Sequence, residues 1–231
     1  MSADQRPGMR AFRLVWLGQL VSIFGTEMSA FALAIWAWQV TGEATALAMI
    51  LAFTWVPLVI VSPLAGVLVD HWNRKRVLIL ADAGSACITL LLLAFYLGGA
   101  LEVWHLFVAA ALQGVFEAFQ GPAFAASITL LVDKEHYSRA GGMMTLATSV
   151  SSMLAPVAAA ALLAFVQLDA ILLIDLVSFG LAVLTLAVTR IPQPTADPAS
   201  LRRFRLFRDV SHGFRYILAR PGLLGLQLVI L

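Results

Sequence analysis

The sequence predicts an all-α membrane protein: a six-helix bundle, a cytoplasmic linker helix and the start of a seventh span. Three observations predict it. The chain is 61% hydrophobic and only 12% charged, where soluble domains average about 45–50% apolar and about 25% charged residues. The apolar residues are gathered into runs of the length a bilayer requires, about 20 residues for a helix rising about 1.5 Å per residue across roughly 30 Å. The charges also alternate in sign from one connection to the next. All 15 Lys and Arg fall at Arg6/Arg10/Arg13, Arg74/Lys75/Arg76, Lys134/Arg139, Arg190 and a run from Arg202 to Arg220. The connections near Glu43, Glu102 and Asp169 carry acid and no base. Basic loops stay cytoplasmic, which predicts a multi-pass protein of the cell (inner) membrane with its N-terminus in the cytoplasm.

The first span is expected over Phe12–Val40, leaving the cytoplasm, and the turn Thr41–Thr45 follows. The second returns over Ala46–Val69, with Pro57 and Pro63 as expected kinks; membrane helices tolerate Pro where neighbours re-satisfy the freed carbonyl. A basic turn, Asp70–Arg76, precedes the third span, Val77–Leu97, and Gly98–Glu102 forms the next outer turn. The fourth span is expected over Val103–Ala126 and includes Gly121-Pro122. Asp133–Arg139 forms an inner loop before the fifth and sixth spans, Gly142–Val166 and Ala170–Thr189.

Composition then changes. Residues 1–190 form the expected bundle, 191–221 a cytoplasmic linker and 222–231 the start of a truncated seventh span. The linker opens with the Pro-rich Ile191–Pro198. In Leu201–Arg220 the residues Leu201, Phe204, Phe207, Val210, Phe214, Ile217 and Leu218 recur at helical spacing, with Arg202, Arg203, Arg205 and Arg215 between them. Such a helix either lies in the headgroup plane or packs on other protein. The last apolar run is too short to cross a bilayer.

Several functions lack their residues. The net charge of +2 arises from short basic loops that read as topology signals, so no nucleic-acid partner is expected. His71, His105, His136 and His212 are scattered singly, and no HExxH or Cys/His cluster suggests a metal. The single cysteine, Cys87, has no internal partner for a disulfide. No cofactor is expected, and no G-x-x-x-x-G-K-[ST] loop is present to bind ATP phosphates. A membrane-embedded enzyme would need a nucleophile with its base or a metal motif; no G-x-S-x-G occurs, so the chain does not read as an enzyme. The N-terminal apolar run is too long for a cleavable signal peptide and lacks an A-x-A site.

The most specific motif is Gly66-Val67-Leu68-Val69-Asp70-His71-Trp72-Asn73-Arg74-Lys75-Arg76. Gly66 permits close helix approach. Asp70 and Arg74 are four apart and close enough to pair if helix continues through the turn. Composition alone reads this stretch as an ordinary basic loop. The pattern nevertheless resembles the G-x-x-x-D-x-x-G-R-[RK] signature of the major facilitator superfamily, matched at Gly66, Asp70, Arg74 and Lys75, with Asn73 where the family has Gly. Phe12–Gln19, Ser62–Gly66, Asp175–Phe179 and Phe214–Ile217 resemble its siderophore-exporter and macrolide-efflux branch.

The resemblance implies the N-terminal six-helix half of a twelve-helix transporter, whose C-terminal half is a missing partner. It implies that Gly66, Asp70, Arg74 and Lys75 form a conformational latch against that half. The family's fourth-span R-x-x-Q-G pattern is represented by Ala110, Gln113 and Gly114, without the Arg tied to proton coupling in many relatives. The fifth-span pattern centred on Gly-Pro appears as Ala155-Pro156.

Four ionisable residues fall inside spans: Glu27, Asp82, Glu117 and Asp175. A carboxylate near mid-bilayer costs about 2.5–3.5 kcal/mol on insertion scales, so each must face a protein interior or a watery cavity. Gln113, Glu117 and Gln120 share one stripe of the fourth helix. Gln19, Ser22 and Thr26 share a stripe of the first, with Glu27 on its flank. In the family these two spans line the central cavity, so Gln19, Glu27, Gln113, Glu117 and Gln120 are the candidate proton and substrate residues. For the two glutamates the alternative is an interhelical hydrogen bond. Asp82 and Asp175, one or two turns from a membrane face, read as structural pairs.

The expected function is proton-coupled efflux of an amphipathic small molecule (drug, macrolide or siderophore) by alternating access, with substrate, protons and lipid bilayer as partners. The alternative is a truncated six-span membrane protein that does not transport alone.

Overall fold

The computed structural model describes residues 8–191. They form six long helices: α1 Gly8–Thr41, α2 Ala44–His71, α3 Arg74–Leu97, α4 Val103–Leu131, α5 Tyr137–Leu163 and α6 Leu168–Val188. A short 3-10 turn, Lys134–His136, leads into α5. The fold is all-α, as the hydropathy pattern predicts, and each expected span corresponds to one helix. The expected linker, its amphipathic helix and the start of a seventh span lie outside the described residues.

Five of the helices are long and apolar enough to cross a membrane by length and composition, and α4 is not among them. It has ample length at 29 residues, but Gln113, Glu117 and Gln120 dilute its apolar run. Helix boundaries differ from expectation mainly at the basic end. There α4 continues to Leu131 and α5 already begins at Tyr137. Amphipathic last turns can leave the apolar zone as helix, and hydropathy alone does not record them.

The connections are short because their residues stop helices sharply. Gly42 adopts a left-handed φ of 69°, and its N–H donates to the Trp38 carbonyl at 2.7 Å. Gly99 does the same work after α3, with φ 65°. Between α2 and α3, Asn73 caps α3: its side-chain oxygen accepts the Arg76 N–H at 3.1 Å. Before α4, the Glu102 N–H donates to His105 Nδ1 at 2.9 Å, and Trp104 Nε1 donates to Glu102 Oε2 at 2.8 Å. Pro57, Pro63, Pro122 and Pro156 all lie inside continuous helices.

The packing is pairwise. Helix α2 lies along α4, α1 packs between α5 and α6, and α3 bridges α4 and α6. In lipid there is little hydrophobic force between helices, so close contact depends on small residues. Gly114 rests against the Thr54 main-chain carbonyl of α2, Gly18 against Thr185, Gly25 against Ser178, and Gly84 beneath the Phe116 ring. A Cβ at any of these positions meets those atoms.

The two ends of the bundle are chemically distinct. One end is sealed by Phe12, Val69, Val77, Leu131, Ala140 and Leu186, and here lie Arg10, Arg13, Arg74, Lys75, Arg76, Lys134, Arg139 and Arg190. The other end, around Ala37, Ala46, Leu106 and Leu168, carries the turns at Glu43, Glu102 and Asp169. Trp16 Nε1 ties α1 to α5 at the basic end through the Met143 carbonyl, 2.8 Å away. The outward faces of α2 and α5 are broad and apolar, with Trp55, Val59, Ile60, Met153 and Val157 all exposed.

Candidate functional site

The polar residues inside the bundle sort into three groups. The first is centred on Asp82, fully buried on α3. Gln19 of α1 donates from Nε2 to Asp82 Oδ2 at 2.8 Å. Gln120 of α4 donates from Nε2 to Asp82 Oδ1 at 2.6 Å and also reaches Gln19 Oε1 at 3.2 Å. Three helices thus meet on one carboxylate, whose two oxygens each accept an amide N–H. Gln19 is only 1% exposed. The sequence places Gln19 and Gln120 with the cavity residues; the structure commits both to Asp82. Depth along the helices narrows the partners without choosing them. Gln19, Asp82 and Gln120 all sit about two to three turns in from the basic end of their helices.

The second group is Glu27 on α1 with Gln113 and Glu117 on α4. All three are half-buried. Glu27 and Glu117 approach closely enough across the α1–α4 contact for their charges to interact, and Gln113 lies beside Glu117 one turn earlier on the same face. Apart from Arg10 and Arg13 near the start of α1, neither helix carries a Lys or Arg. These three candidate residues are therefore brought together, while Gln19 and Gln120 belong to the neighbouring Asp82 hub.

A third set binds α6. Asp175, 1% exposed, is surrounded by hydroxyls of α1, α3 and α6. Its interhelical contacts agree with the structural role expected for it.

The basic-end loop divides its residues between two tasks. Lys75 Nζ donates to the main-chain carbonyls of Ala187 and Thr189, both at 2.9 Å, where α6 ends. A cation at a helix C-terminus satisfies orphan carbonyls and the negative end of the helix dipole. Asp70 is exposed at the last turn of α2. The helix breaks at Trp72 and Asn73, so the condition for an i, i+4 side-chain pair is not met. Arg74 Nη2 instead reaches the Asp70 main-chain carbonyl at 3.4 Å. A Cβ on Gly66 would meet nothing within 4 Å among the described residues. Its open flank is available to something else.

Several aromatic residues of α2 and α4 stack on neighbouring rings or face outward. Phe53 stacks on Phe107 with centroids 5.4 Å apart, and Phe119 stacks on Trp72 at 6.2 Å. Trp55 faces outward.

A helical bundle with basic and acidic ends, a loop of the G-x-x-x-D-x-x-N-R-K form and half-buried acids on α1 and α4 defines a polytopic protein of the membrane. Residues 15–231 match the family model of the Major Facilitator Superfamily, and the chain belongs to that family. Similar proteins include macrolide efflux protein A of Streptococcus pyogenes, 30% identical over 220 residues, covering 94% of this chain and 54% of that protein. Macrolide efflux protein A of Enterococcus faecalis is 31% identical over 190 residues, covering 81% and 58%. The enterobactin exporter EntS of Shigella boydii is 25% identical over 233 residues, covering 95% and 52%. The chain spans about half the length of the curated relatives it matches.

Proposed function

We propose that the chain forms the N-terminal half of a secondary-active exporter that moves an amphipathic small molecule outward in exchange for protons. The observation that carries this reading is the Glu27–Gln113–Glu117 group. It places two acids, close enough to feel each other, on the two helices α1 and α4. Such acids are costly unless a watery cavity or a proton serves them. A carboxyl pair of this kind can take a proton on one side and give it up on the other. The names of the relatives, macrolide efflux and enterobactin export, support an outward direction and an amphipathic cargo.

A second six-helix unit completes the transporter in this reading. The exposed apolar faces of α2 and α5 support that, as does the greater length of the relatives. The two units rock around a midplane site, with Asp70 and the Arg74 loop latching one to the other at the cytoplasmic end. The clustering of Arg and Lys at one end supports an N-terminus in the cytoplasm.

The test is efflux by the complete protein in an efflux-deficient host. Glu117→Gln is expected to reduce proton-driven efflux to background while the protein remains membrane-inserted. Wild-type efflux by that variant across a pH series would remove Glu117 from the mechanism.

A further inference from the structure

A crevice opens on the flank of α3. Its walls are Trp72 from the α2–α3 turn, Val77, Leu80 and Ala81 from the first turns of α3, and Phe116 and Phe119 of α4. They enclose about 180 Å³, room for a stretch of one acyl chain, and apart from the Trp72 indole no polar side chain is among them. Trp72 reaches from the turn to stack on Phe119, with centroids 6.2 Å apart. Leu80 forms the lip and is 67% exposed. Ala83, Cys87 and Leu91 continue the exposed stripe along α3. The crevice therefore faces the acyl chains of a bilayer and not the interior of the bundle.

Arg76 begins that same stripe. It is exposed and lies one helical turn before Leu80, at the basic end of the bundle. Its main-chain N–H donates to Asn73 Oδ1 at 3.1 Å, but its guanidinium has no hydrogen-bond or ion-pair partner among the described residues. Its two neighbours are engaged: Lys75 Nζ holds the carbonyls that end α6, and Arg74 Nη2 reaches the Asp70 main-chain carbonyl. The acids nearest in sequence are directed elsewhere. Asp70 lies beyond the helix break at Trp72 and Asn73. Asp82 is buried, and its oxygens accept the amides of Gln19 and Gln120.

An unpaired cation one turn from an apolar crevice matches the build of a phospholipid. A helical turn rises about 5.4 Å, and each headgroup layer is about 5–8 Å thick beside the hydrocarbon core. The Arg76 guanidinium thus sits at phosphate level when Val77, Leu80 and Phe119 meet the first methylenes. Trp72 suits this depth, since indoles favour the headgroup boundary. A guanidinium engages phosphate through two parallel hydrogen bonds. We propose that the crevice and Arg76 bind an anionic phospholipid, its phosphate on the guanidinium and one acyl chain against Trp72, Leu80 and Phe119. A zwitterionic lipid brings its own cation to the phosphate, whereas an anionic one leaves its charge for Arg76. The larger groove between α1, α5 and α6, about 510 Å³, is also apolar, but the stretches that line it carry no Lys or Arg and nothing there selects a headgroup. The inference concerns the flank of α3 and does not rest on the export reading.

The test is quenching of Trp72 fluorescence in the full chain reconstituted into phosphatidylcholine vesicles, because bromine on an acyl chain quenches the indoles it touches. Brominated phosphatidylglycerol and brominated phosphatidylcholine are compared as minor lipids at equal mole fraction. The Trp72 share is the difference between wild type and Trp72→Phe. Phosphatidylglycerol is expected to half-quench that share at a roughly fivefold lower mole fraction, the preference that one Arg near anionic lipid supplies. Arg76→Gln should make the two lipids equal while leaving the unfolding temperature unchanged. Arg10→Gln, at an exposed position of the same end, should keep the preference. Equal quenching by the two lipids in wild type would overturn the proposal. Absence of quenching by either would also overturn it, placing protein over the crevice. A preference that survives Arg76→Gln, or falls equally in Arg10→Gln, would assign the attraction to the basic end as a whole and overturn the site.

Discussion

Asp82 and Glu117 are both carboxylic acids inside a membrane helix, and their surroundings differ completely. Asp82 is fully buried and accepts amide N–H groups from two other helices, one on each oxygen. Glu117 is half-buried, with a second acid opposite it and a glutamine on its own helix beside it. The first arrangement fixes three helices relative to one another. The second leaves an acid that a proton or a ligand can still reach. In the proposed reading, the satisfaction of its oxygens, more than depth in the bilayer, separates an acid that holds the fold from one free to do chemistry.

The largest effect that would test this contrast is loss of function without loss of fold. Glu117→Gln is isosteric and removes the titrating group, so efflux should fall to background while unfolding temperature and membrane insertion stay near wild type. A variant that unfolds as readily as an Asp82 variant would erase the distinction between the two acids.

Asp82 should behave in the opposite sense. Asp82→Ala leaves the Gln19 and Gln120 amides facing each other without their acceptor. Interhelical hydrogen bonds in membranes contribute about 0.6 kcal/mol on average and up to about 1.7, so two of them predict a loss of roughly 1–3 kcal/mol, read as a lower unfolding temperature in detergent. Asp82→Asn keeps the volume but sets an NH2 group against at least one amide donor, and should recover only part of the loss. Unfolding temperatures of both variants equal to wild type would show that the hub does not hold the helices.

Much of this architecture can be read along the chain. Apolar run length and the alternation of Arg/Lys loops with Glu43, Glu102 and Asp169 turns give six helices and the sorting of charge to one end, since both follow from the bilayer acting as solvent. The grouping of Glu27 with Glu117 follows from the resemblance, which implies that the first and fourth spans face one cavity; helical periodicity adds only that Glu117 shares a stripe with Gln113. The partnership of Gln19 and Gln120 with Asp82 was out of reach. It depends on how α1, α3 and α4 are rotated about their own axes, which tertiary packing at Gly18, Gly84 and Gly114 decides. The hydroxyl shell of Asp175 was hidden for the same reason: its members come from three helices and no local spacing links them.

Lys75 offers a smaller test at the basic end, where a charge is satisfied much as Asp82 is. Lys75→Met keeps the aliphatic stem and removes the cation from the end of α6. A cation at a helix C-terminus contributes about 0.3–1 kcal/mol at exposed sites, so a loss of that size is expected. A larger loss would mean that the Ala187 and Thr189 carbonyls find no water in its place.

Asp70 is the counterpart of Lys75 in the same loop and should give the smallest change in stability. Its carboxylate is exposed at the end of α2, and the Arg74 contact goes to its main-chain carbonyl, which a side-chain substitution leaves in place. Asp70→Asn should therefore alter unfolding by no more than about 0.5 kcal/mol, the usual range for surface changes. If the loop latches onto a second unit, the cost appears elsewhere, as slower turnover of the complete transporter with the same preference among substrates. Because the side chain makes no hydrogen bond or ion pair among the described residues, any kinetic effect reports what the loop touches beyond them. A wild-type turnover rate in Asp70→Asn would assign the loop, like Lys75, to holding the bundle end together.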